Sequence, residues 1–149
     1  MNLHHILLII HLICAAVWVG GHLFLVIRVL PKALREKDVL GLRNFKDKYE
    51  PLGMPCLLLL VITGIWMAYD YNVKLSSWFS FSNAIERVVS IKLILLLTTA
   101  VLAVLADRVI FPRLTPNTIK RAALPMILVT LISVAMLVLG SFVRYGGIH

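Results

Sequence analysis

Acidic residues are scarce: Asp and Glu together number 7, against 15 Lys and Arg, in a chain of 149 residues. Charged residues of both signs reach only 15%, whereas hydrophobic residues reach 60%, above the roughly half apolar content of a soluble domain. So little polar surface excludes a soluble catalytic domain. Cysteine is nearly absent, and both copies, Cys14 and Cys56, lie inside apolar segments, which argues against a disulfide framework. No glycine-rich phosphate loop or Ser-His-Asp set occurs, which argues against conventional hydrolysis, and no CxxC or HxxxH motif adds weight to a metal site. The net charge of +8 comes without a zinc knuckle or a basic helix interleaved with aromatics, so nucleic acid is not an expected partner.

What is present is long apolar runs, and a mean hydropathy of +0.94 places the chain in a membrane. Residues 1–27 carry no Asp, Glu, Lys or Arg. They open a first span of residues 6–29, which lacks the basic start of a cleaved signal and is expected to be retained. Further spans are expected at 51–69, 88–110 and 122–143, each near the roughly 20 residues that cross hydrocarbon. Pro51, Pro55 and Pro125 mark helix starts, since a missing donor costs least in a first turn. The fold class is all-α, an integral membrane four-helix bundle formed as one domain over residues 1–149.

Orientation follows from Lys and Arg in the short loops. Seven lie between Arg28 and Glu50 and four more between Asp107 and Arg121. The opposite side has Lys74, Arg87 and Arg144, with Lys92 just inside the third span. The basic loops are therefore expected in the cytoplasm and both termini outside. Trp78, Phe79 and Phe81 between spans two and three read as an interfacial segment.

Four of the five histidines, His4, His5, His11 and His22, lie in or beside the first span. At about 100° per residue, His4, His11, Trp18 and His22 fall on one face. At about 1.5 Å rise per residue, His11 and His22 stand roughly 16 Å apart, too far to bind one ion together. Ionisable groups at membrane depth mark functional sites, so both are candidate metal ligands or proton relays. Gly20 and Gly21 remove bulk beside His22 and allow a neighbouring helix or a flat porphyrin to approach. Weaker metal candidates are His4, Cys14, Met54 and Met67, because soft sulfur suits a cation such as Cu(I). Lys92 is either a snorkelling cation or a partner for an anionic cofactor group or a carboxylate, Asp70 or Glu86. Tyr49 and Glu50, with Asp107 and Arg108, are expected to meet across the cytoplasmic face, either with Asp107 locking to Arg108 or as a point of proton entry. No catalytic residue can be assigned.

The run His11-Leu-Ile-Cys14-Ala-Ala-Val-Trp18-Val-Gly20-Gly21-His22, followed by Leu30-Pro31, resembles the opening of the CopD family, named for copper resistance. Glu50-Pro51-Leu-Gly-Met54-Pro55, Thr63-Gly64-Ile65-Trp66, Lys92-Leu93, and Asp107-Arg108 ahead of Pro112-Arg113-Leu114 extend the resemblance over residues 5–115. The same landmarks are similar to the HemJ family of protoporphyrinogen oxidases. That similarity implies haem b on His11 with Lys92 as a nearby functional cation. After the first Trp-Gly segment the chain reads Val26-Ile27-Arg28-Val29-Leu30-Pro31, where HemJ has a Pro-Arg followed by a Tyr-His pair, so protoporphyrinogen oxidation is not carried over.

Two functions follow as expectations. The first, favoured, is a haem b electron-transfer protein and membrane oxidoreductase of the bacterial inner membrane, with His11, His22, Trp18, Gly21 and Lys92 at the cofactor. Its partners would be a quinone or a periplasmic redox protein, and a homodimer would supply missing iron ligands. The alternative is copper transport or delivery through a ladder of His4, His5, His11, Cys14, His22 and Met54 or Met67. A cofactor-free structural subunit leaves His11 and His22 unexplained.

Overall fold

The computed structural model describes residues 2–147, and among them all regular structure is helical. Helix α1 (Leu3–Phe24) passes through a π turn at Leu25–Val29 into α2 (Leu30–Glu36). Pro31 enters α2 in its first turn, where its absent N–H is not missed. Lys37 ends α2 with φ 53°. Asp38 then caps α3 (Val39–Asp70), its side chain accepting from the Gly41 N–H at 2.8 Å. Asn83 caps α4 (Ala84–Leu105) in the same manner, taking the N–H groups of Ile85 and Glu86. A second π turn (Ala106–Ile110) and a 3-10 turn (Phe111–Arg113) follow, and α5 (Lys120–Arg144) closes the chain.

Four helical segments are long and apolar enough to cross a membrane: Leu3–Glu36, Val39–Asp70, Ala84–Arg113 and Lys120–Val143. They include the four expected spans but run past them. The segment from Arg28 to Glu50, expected as a basic loop, is helical except around Lys37 and Asp38. Pro51 and Pro55 are not helix starts; they lie inside α3, four residues apart and both exposed. The Asp38 cap sets the start of α3 instead, and a membrane-spanning helix tolerates interior prolines when neighbouring groups satisfy the freed carbonyls. Pro125 likewise falls beyond the first turn of α5. At about 1.5 Å per residue α3 is roughly 48 Å long, against about 30 Å of hydrocarbon, so its charged first turns reach past the apolar layer.

Helix α1 packs against both α3 and α5, and α5 also packs against α4. Large apolar side chains such as Leu58, Leu97, Val101 and Leu131 are more than half exposed and form the lipid-facing surface. Inside, Trp18, Val19 and Val129 make one buried cluster. Leu25, Leu30, Ala33, Leu42, Leu114, Ile119, Ala122 and Met126 make another at the end bearing the basic segments. In lipid, small residues and hydrogen bonds hold helices together where the hydrophobic effect does not. Trp18, Thr63, Thr130 and Ser133, all buried polar side chains, serve that purpose here. The side chain of Arg144, counted above among the opposing cations, lies outside the described residues.

Candidate functional site

The inner face of α1 carries the expected stripe, and each member is fixed by a specific partner. His4 bonds Asp70 near the end of α3, Nδ1 to Oδ2 at 2.7 Å. His11 Nδ1 lies 2.8 Å from Thr63 Oγ1, while the Thr63 hydroxyl donates to the Leu59 carbonyl at 2.6 Å. A hydroxyl has one proton to give, so Thr63 must accept from His11 and the imidazole carries its hydrogen on Nδ1. His22 Nδ1 lies 2.9 Å from the Trp18 carbonyl, which can only accept, so His22 also holds its proton on Nδ1. Both rings therefore present Nε2 with a free lone pair. This is the arrangement of a metal-ligating histidine, whose other nitrogen donates to a second-shell acceptor. His5 is exposed.

Trp18 donates from Nε1 to Ser133 Oγ on α5 at 3.0 Å, and Ser133 donates onward to the Val129 carbonyl. Its ring lies 4.4 Å from that of His22. Tyr49 of α3 covers the other side of His22 edge-on at 5.7 Å and donates to the Trp18 carbonyl at 3.1 Å. A Cβ at Gly21 would overlap the Tyr49 ring, whereas one at Gly20 would meet nothing within 4 Å. Gly21 thus admits a helix and its tyrosine, the first of the two occupants the glycine pair allowed.

These groups wall a cavity of about 160 Å³ between the helices, into which Met54 and Met126 also project. Leu25 and Ala106, the first residues of the two π turns, stand at its edge. π bulges inside α-helices frequently accompany functional sites, and neither was visible in the pattern of apolar residues. The mouth is charged: Lys46 Nζ lies 2.7 Å from Asp107 and 3.1 Å from Glu50. Asp107 therefore pairs with Lys46, four residues before Glu50, and not with Arg108; the long lysine on α3 reaches across the mouth, while Arg108 is the next residue on the same helix as Asp107.

Lys92 lies farther along the bundle. Its ammonium stands 3.6 Å from where a Gly140 Cβ would be, within electrostatic range of His11. The carboxylates suggested for it are engaged elsewhere, Asp70 with His4 and Glu86 with the Ser80 hydroxyl at 2.6 Å. Cys14 is buried, and Cys56 of α3 lies near enough to interact with it. Met67 is half-buried near the far end of α3, away from His22. Among the described residues, no three His, Cys, Asp or Glu side chains converge on one point.

Thr63, Tyr49 as the lid of Gly21, Ser133, Lys46 and Cys56 as the partner of Cys14 are the residues that the sequence reading missed. Thr130 and Ser133, small polar residues three apart in an apolar helix, were the available signal for an α1–α5 contact.

The family model described as copper resistance protein D, CopD, matches residues 43–144, more than half of the chain. The match takes in nearly all of α3 and the whole of α4 and α5, and it leaves α1 with its histidines outside. No match is found among curated proteins or among solved structures. The likeness to HemJ therefore receives no support. A resident haem b does not fit the cavity either, because about 160 Å³ is well below the roughly 300–1,000 Å³ of pockets that enclose small organic ligands. An ion with one or two waters does fit.

Proposed function

The chain belongs to the copper resistance protein D family, and on that premise we propose that this multi-pass membrane protein moves copper across the bacterial inner membrane. The ion passes between soft donors along the inner face of α1. The observation that carries this reading is the shared tautomer of His11 and His22: Thr63 and the Trp18 carbonyl hold the proton on Nδ1 of each ring, leaving Nε2 free to bind. Imidazole and thioether are suitable donors for copper, and His22 shares its cavity with Met54 and Met126. Glu50 and Asp107 at the mouth attract a cation, while Lys46 partly neutralises them. Transport is a binding event at each stage, in which Nε2 or sulfur replaces water or another donor on the ion and no electron is transferred.

The Lys and Arg content of the α1–α3 and α4–α5 connections supports a cytoplasmic position for them, and on that orientation the cavity mouth faces the cytoplasm and His4 and Asp70 face outside. The test is Cu(I) uptake into proteoliposomes containing an entrapped Cu(I)-binding dye. Wild-type protein is expected to raise uptake above protein-free liposomes, with His22→Ala and Met126→Leu each reducing the rate severalfold. Uptake no faster than in protein-free liposomes would overturn the reading.

A further inference from the structure

His11 and His22 are separated by roughly 16 Å, a gap too long for an ion to cross between two donors without an intermediate stop. Cys14 lies in that gap, one turn from His11. On the antiparallel neighbour, the register is set by three contacts: His4 with Asp70, His11 with Thr63, and Gly21 with Tyr49. In each, moving down α1 moves up α3. Interpolating between the last two brings Cys14 opposite residue 59, within one turn of Cys56, so the register places both thiols at the same depth of the α1–α3 interface. Both are free cysteines. Apolar side chains occupy most of the neighbouring positions on both helices, so water competes little for an ion held at this depth.

We propose that Cys14 and Cys56 form a two-thiolate Cu(I) site between α1 and α3, the stage that joins His11 to His22. Two thiolates satisfy Cu(I), a soft ion that accepts linear coordination, and reject harder divalent ions. Binding forms two S–Cu bonds, releases the two thiol protons and leaves the oxidation state unchanged. The resulting centre carries one net negative charge, which is costly in hydrocarbon without a cation nearby. Lys92, beside Gly140 and within electrostatic range of His11, is a cation in this part of the bundle.

This inference rests on the copper reading, and the experiment separates the two. The full chain in nanodiscs is titrated with Cu(I) against a competing Cu(I) chelator, and copper K-edge absorption reports the donor atoms. Wild type is expected to hold a tightly bound Cu(I) with two sulfur neighbours. Cys14→Ser and Cys56→Ser should each lose that same ion, and the double variant should lose no more. In the unsubstituted protein, one equivalent of Cu(I) should protect both cysteines together from alkylation, read by mass spectrometry, which does not depend on the variants folding. Independent alkylation of the two cysteines, or single variants that keep the ion, would overturn the site, even where liposome uptake persists. A wild type that binds the ion through both cysteines but transports none would instead sink the transport reading and leave the site standing.

Discussion

Lys46 on α3 and Asp107 in the π turn after α4 are joined at 2.7 Å, across the mouth of the cavity that contains His22. The pair is partly exposed, 29% and 48%, and such pairs contribute only about 0–1 kcal/mol. On the proposed copper reading the pair acts as a gate, because it sets how much negative charge an approaching cation meets.

Substitution at the gate is expected to act in opposite directions. Lys46→Met leaves Glu50 and Asp107 uncompensated and should speed copper flux, whereas Asp107→Asn should slow it. Both variants should unfold within a few degrees of wild type in thermal denaturation. Rates that change in the same direction for both, in the liposome assay, would show that the pair does not gate the ion.

The two adjacent glycines should differ sharply. Gly21→Ala drives a methyl group into the Tyr49 ring, and overpacking of this kind costs about 1–3 kcal/mol. Gly20→Ala meets open space and should leave stability nearly unchanged. Adding Tyr49→Ala to Gly21→Ala should reverse part of the coupling loss in a double-mutant cycle. Equal destabilisation by the two glycine variants would contradict the placement of α1 on α3.

Ser133→Ala removes the acceptor of the buried Trp18 N–H. An unsatisfied buried donor costs about 1–3 kcal/mol, and the indole fluorescence should shift because its hydrogen bond is gone. Trp18→Phe in the same background removes the orphaned donor, so Ser133→Ala should cost less there. Additive losses would show that the two residues are not coupled.

Both termini are expected outside the cytoplasm. A C-terminal alkaline phosphatase fusion should be active and a C-terminal green fluorescent protein fusion dark. The converse pattern would invert the bundle and with it the direction in which the charged mouth faces.

The spans, the membrane setting and the grouping of His4, His11, Trp18 and His22 were legible in the sequence, since apolar length and a 3.6-residue period depend only on neighbours along the chain. Helix ends were less legible. Pro51 and Pro55 look like starts, but whether a proline begins a helix or sits within it depends on what satisfies the freed carbonyls. The partners of the stripe could not be read at all. Thr63 lies 52 residues from His11 and Ser133 lies 115 from Trp18, and periodicity tells which residues share a face without telling what that face meets. Only the packing of α1 between α3 and α5 fixed the His11 tautomer, filled the space at Gly21 with Tyr49, and brought Cys14 near Cys56, because such contacts act over a few ångströms of space regardless of separation in sequence.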